Sequence, residues 1–91
     1  MSLENYHNYI FIAKESEMSK HQISNIVRKL RFLKDEMTQQ QLGDKVGVTR
    51  QTIVAIEKGK YSPSLELAFR IAEVFELPLE EVFTYKSEEE N

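Results

Sequence analysis

Gly47 is the residue that most narrows what this chain can become. It divides residues 38–59, TQQQLGDKVGVTRQTIVAIEKG, into two short apolar-periodic segments. Leu42 and Val46 lie one helical turn apart on the first segment, as an inward helix face requires. A left-handed backbone costs least at glycine, so Gly47 is where the first helix should stop. Thr49 is placed to cap a second helix by accepting an N–H bond from Gln51 or Thr52. Ile53 and Ile56 then point inward, and Gly59 ends that helix. Gly43 interrupts the first helix at a cost of roughly 1 kcal/mol relative to alanine. Its presence predicts a close approach of the two helices, with a functional hinge as the weaker alternative.

Residues advance by about 100° along a helix. With Ile53 and Ile56 buried, Gln51, Val54, Ala55 and Lys58 turn outward, and Arg50 projects from the first turn. Arginine can pair bidentately with guanine and glutamine with adenine, while small apolar side chains can touch a thymine methyl. Arg50, Gln51, Val54 and Ala55 are therefore candidate base contacts. Thr38 should cap the first of the two helices, leaving Gln39 and Gln40 at its N-terminal end, where backbone N–H groups and a side-chain amide suit a phosphate. Gln39 is a candidate phosphate contact there, and Lys58 and Lys60 suit phosphates at the far end. Two helices around such a turn form the helix-turn-helix pattern, whose second helix enters the DNA major groove. The bland alternative is a solvated polar face that touches nothing.

The flanks supply the rest of a small bundle. Ser19 and Gln22 have capping-box spacing, and Ile23, Ile26, Val27, Leu30 and Leu33 follow at helical intervals. This predicts a first helix from near Ser19 with that stripe in the core. Arg28, Lys29 and Lys34 fall away from the stripe, where they are solvated or near phosphate, and Asp35-Glu36 ends the helix. Residues 61–64 turn into a fourth helix capped by Ser64. It should bury Leu65, Ala68, Ile71, Ala72 and Phe75, widened by Leu67 and Val74. Pro78 opens a last short helix over residues 79–83 that closes the core, and residues 84–86 extend as a strand. The domain so defined runs over residues 19–86. Residues 87–91 read as an acidic, disordered tail. In residues 1–18, Tyr6, Tyr9, Ile10, Phe11 and Ile12 are β-prone. They fit a strand, a segment packed on the domain or on a second copy, or a partly ordered extension.

Composition removes other function classes. Ninety-one residues allow one small domain. With no cysteine there is no disulfide or thiolate metal site, which fits a reducing compartment. The longest apolar run, residues 9–13, is far below the roughly 20 residues of a membrane span, and no basic n-region precedes it. A cytoplasmic protein without membrane attachment is expected. The net charge is −3, yet residues 22–62 carry eight cations against four anions, a net +4, and the remainder four against eleven, a net −7. A local basic surface, not the total, governs phosphate binding. His7 and His21 have no metal-ligand spacing, Ser and Thr sit in capping positions rather than beside a histidine base, and no Gly-rich phosphate loop occurs. No enzyme, metal, cofactor or small-molecule ligand is expected.

The run Leu30-Arg31-Phe32, Met37-Thr38-Gln39-Gln40-Gln41-Leu42, Val46-Gly47-Val48-Thr49-Arg50-Gln51-Thr52-Ile53 and Ile56-Glu57-Lys58-Gly59-Lys60-Tyr61-Ser62-Pro63-Ser64 resembles the Cro/C1-type (XRE-like) helix-turn-helix family, in its short single-domain form. The likeness covers about residues 23–83. It implies an all-α, lambda-repressor-like bundle of about five helices, here with a short N-terminal strand or extension. It also implies sequence-specific binding of double-stranded DNA by a transcriptional regulator, as a repressor, with residues 49–58 as recognition helix, and often a homodimer. Position by position, Gln39 matches a phosphate contact, and Thr49, Arg50, Gln51 and Ala55 match DNA-facing positions, Thr49 as a phosphate contact. Lys58 and Lys60 match later phosphate contacts, and Arg31 and Glu57 match a charged pair joining the first and third helices. Gly43, where alanine is usual, and the N-terminal segment depart from the pattern. A two-fold dimer would double the site read, with residues 9–12 and 83–85 as candidate interface, paired as strands. A protein-interaction module using the acidic C-terminal half, or an antitoxin component combining both roles, is the competing reading.

Overall fold

The computed structural model describes residues 21–87. In chain order they form β1 (His21–Asn25), α1 (Val27–Leu33), α2 (Gln39–Val46), α3 (Arg50–Glu57), α4 (Leu65–Val74), α5 (Leu79–Val82) and β2 (Phe83–Ser87). The three middle helices start where their caps require. The Thr38 hydroxyl accepts from the Gln41 N–H at 2.9 Å, and the Gln41 side-chain Oε1 accepts from the Thr38 N–H at 2.8 Å, a complete capping box. Thr49 accepts from Thr52, not Gln51, at 3.2 Å, and Ser64 accepts from Leu67 at 3.1 Å. Gly47 takes φ 83°, letting Val48 donate back to the Gly43 carbonyl at 2.9 Å. Gly59 closes α3 in the same way, with Lys60 donating to Ala55.

The close approach expected at Gly43 is real. A Cβ there would lie 2.7 Å from the Val48 carbonyl oxygen and 3.3 Å from that of Thr49. The neighbour is the backbone entering α3, so a side chain could be accommodated only by moving the turn.

Leu42, Val46, Ile53, Ile56, Leu67, Ile71 and Ala72 form the centre of the core, closed by Val27, Met37 and Val82. Leu30, Val74 and Phe75 pack at its margin. Met37, which sequence periodicity leaves in a loop, is buried because the α1–α2 connection folds under the bundle.

The chain departs from expectation at its ends. Residues 21–25 are not helix: they pair antiparallel with β2, from His21↔Ser87 to Asn25↔Phe83. Ser19, the expected cap, lies outside the described residues. Asn25 sets the boundary. Its side-chain oxygen accepts from the Val27 N–H at 3.0 Å, and its amide donates to the Ile56 carbonyl at 3.0 Å. Ile26 N–H donates to the Val82 carbonyl at 3.1 Å. These bonds turn the chain between strand and helix, so the stripe read as one helix face is split. Val27 is buried and Leu30 half-buried, whereas Ile23, Ile26 and Leu33 are exposed.

Leu65 is 66% exposed, because the first turn of α4 projects past the core to a rim shared with Pro63 and Leu79. The strand expected over residues 84–86 exists as β2, so Ser87 belongs to a strand rather than to a tail. Residues 83–85, considered for strand pairing between copies, pair with β1 of their own chain. Among the described residues the all-α expectation thus becomes five helices with a two-stranded sheet. The N-terminal extension and residues 88–91 lie outside the described residues.

Candidate nucleic-acid interface

A groove of about 560 Å³ opens where α1, α2 and α3 meet. Arg28 and Arg31 border it from α1, Thr38, Gln39 and Gln40 from the start of α2, and Arg50, Val54, Glu57 and Lys58 from α3 and its end. Its framework is an ion pair. Arg31 donates through Nε to Glu57 Oε2 at 2.6 Å and through a terminal nitrogen to Oε1 at 3.0 Å. The other terminal nitrogen donates to the Met37 carbonyl at 2.7 Å. The two side chains are only 14% and 6% exposed. This is the charged pair implied by the resemblance, and it also holds the α1–α2 loop. A bidentate guanidinium–carboxylate contact fixes direction as well as distance. Breaking a buried pair strands a charge at a cost of about 3–5 kcal/mol.

Glu57 has a second task. Its Oε1 also accepts from the Gln39 amide at 3.1 Å. Gln39 is therefore half-buried and oriented, with one amide hydrogen committed to Glu57. Sequence reasoning placed Gln39 correctly at the start of α2 but missed this bond. The partners stand 18 residues apart, and no local pattern relates them. Gln40 is engaged within its own helix, donating to Asp44 at 2.9 Å.

Of the candidate residues, Gln39, Arg50, Val54 and Lys58 come together at the groove. Gln51, Ala55, Thr49 and Lys60 stand outside it. At about 100° per residue, Arg50, Val54, Lys58, Gln51 and Ala55 nevertheless share an arc of about 140° on one side of α3. Arg50, Gln51 and Lys58 are exposed along that arc, with Val54 and Ala55 half-buried between them. Lys60 is exposed beyond the helix end, and the Thr49 hydroxyl lies 3.0 Å from that of Thr52 at the start. Arg28, read from the sequence as solvated or near phosphate, adds an exposed cation to the groove wall. With Arg31 neutralised by Glu57, Arg28, Arg50 and Lys58 leave the groove positive. Glu66, Glu73, Glu76, Glu80 and Glu81 are exposed on or beside α4 and α5. The charge division along the sequence is thus also a division in space, which concentrates positive potential on the groove side.

The helix-turn-helix family model HTH_3 matches residues 27–82, from the first residue of α1 to the last of α5. The chain belongs to this family. Among similar proteins, an uncharacterized HTH-type transcriptional regulator of Methanocaldococcus jannaschii is 57% identical over 53 residues, 58% of this chain and 80% of that one. The uncharacterized HTH-type transcriptional regulator YgzD of Bacillus subtilis is 49% identical over 66 residues, 72% of this chain and 98% of its own. A crystal structure from Bacteroides fragilis shares the fold at a TM-score of 0.59 and 19% identity, over 68% of this chain and 98% of that one. Among the described residues no helix is long and apolar enough to cross a membrane, and no three His, Cys, Asp or Glu side chains gather to hold a metal ion.

Proposed function

We propose that this protein is a transcriptional regulator of the cytoplasm, a repressor, that binds double-stranded DNA sequence-specifically with residues 49–58 in the major groove. The observation that carries the reading is the arc on α3. Arg50 and Gln51 stand exposed beside the half-buried Val54 and Ala55, next to a groove rimmed by cations. Long polar side chains flanking a low apolar strip let a helix approach base edges closely. Arg50, Gln51, Val54 and Ala55 contact bases. Gln39, through its second amide hydrogen, and Thr49, Lys58 and Lys60 contact phosphates, with Arg28 beside them. The names of the similar regulators agree with this reading. Two copies reading two half-sites supply the specificity that one short helix lacks.

The test is selection of bound duplexes from a random pool, followed by anisotropy titration of the enriched duplex between 50 and 200 mM salt. Three cations on phosphates per protomer predict a log–log slope of roughly −3 per protomer. An enriched site with two half-sites about 10 base pairs apart, centre to centre, supports the dimer. No enrichment and no duplex binding at low salt overturns the proposal.

A further inference from the structure

Of the four candidate base contacts on α3, Arg50 and Val54 line the groove, and Gln51 and Ala55 stand outside it. Arg50 and Val54 are four residues, or about 6 Å, apart along the helix axis. Because a helix lying along the major groove runs oblique to the duplex axis, that distance projects to less than two steps of about 3.4 Å. The two side chains therefore meet neighbouring base pairs.

Arg50 is exposed and free to pair with a base. Among the described residues lining the groove, Glu57 is the one acid, and both its oxygens are engaged by Arg31 and Gln39. An arginine so released matches the O6 and N7 acceptors of guanine. Val54 offers different chemistry. Its branched side chain holds one χ1 rotamer in a helix, so its methyl groups are presented at a fixed place. It is half-buried, low on the surface of α3, and can reach a base only through a group that stands out from the base edge. The C5-methyl of a pyrimidine is such a group. Beside it, thymine shows an acceptor and cytosine a donor, and valine has neither donor nor acceptor with which to tell them apart. Resting on the reading of α3 as the recognition helix, we propose that Arg50 and Val54 read a guanine and the C5-methyl group of a pyrimidine in the adjacent base pair, with thymine and 5-methylcytosine both accepted by Val54.

The test uses the full-length protein and the duplex enriched from a random pool, with each thymine replaced singly by deoxyuridine, which removes only the methyl. One position per half-site, in the pair next to a guanine, should then bind roughly fourfold more weakly, the worth of one buried methyl group. With cytosine at that position, adding the 5-methyl group should strengthen binding by the same factor. In Val54→Ala both differences should vanish, while Arg50→Ala should keep them and lose the preference for the neighbouring guanine. A duplex that binds equally with thymine and deoxyuridine at every position overturns the assignment and leaves DNA binding standing. A methyl effect that survives in Val54→Ala also overturns it, by moving the contact to another residue. Failure to enrich any duplex removes the DNA reading itself, and the assignment with it.

Discussion

The two sides of this small bundle are held by different physics. Around the groove, polar side chains are positioned by other polar side chains: Arg31 by Glu57 and Met37, and Gln39 by Glu57. Around α4 and α5 the described contacts are mainly apolar, and Leu67, Ala68, Ile71 and Ala72 face the core. One side therefore depends on a single carboxylate, and the other on close packing spread over many atoms. Directional bonds fix where a side chain points, as a reading surface needs. Packing fixes where a helix lies and leaves its outward residues free for another use.

Glu57→Ala should have the largest effect and reach both properties. It strands the Arg31 charge and frees Gln39, so about 3–5 kcal/mol of stability should be lost in denaturant unfolding. Duplex binding should fall even under conditions where the variant remains folded. Ile71→Ala, at a fully buried position, should cost about 2–5 kcal/mol by the same measurement while the folded fraction binds duplex normally. Equal binding losses in the two variants would erase the distinction between the sides. Arg50→Ala should cost roughly 1–3 kcal/mol against the preferred duplex, with little change in melting temperature, and should relax preference at one base position. Gly43→Ala gains about 1 kcal/mol of helix propensity but forces a Cβ against the Val48 carbonyl, with overpacking worth about 1–3 kcal/mol. A net loss of up to about 2 kcal/mol in unfolding is expected, and a more stable variant would show that the turn yields freely.

Much of the groove was legible because its parts are locally encoded. The caps Thr38, Thr49 and Ser64 each act on a residue three positions on, and Gly47 acts within its own turn. Short-range hydrogen bonds leave short-range sequence patterns. Leu33 and Leu65 misled for the complementary reason. Their spacing matches an inward stripe, but burial also depends on what lies beyond the helix end, and there the bundle has run out.

The local pattern of caps, glycines and apolar spacing determined α2, α3 and α4 and the outward arc that carries Arg50 and Gln51. The Arg31–Glu57 pair was accessible only through likeness to a family, since 26 residues separate its members. Tertiary structure alone decided the rest. The stretch Ile23, Ile26, Val27 and Leu30 carries a helical period, yet His21–Asn25 becomes a strand because a partner strand 58 to 66 positions away offers its backbone. Asn25 and Ile26 are tied to Ile56 and Val82 across the fold. Likewise Gln39 is aimed by Glu57 from another helix. Bonds between distant residues form only after the chain has collapsed, so no window of neighbouring residues contains them.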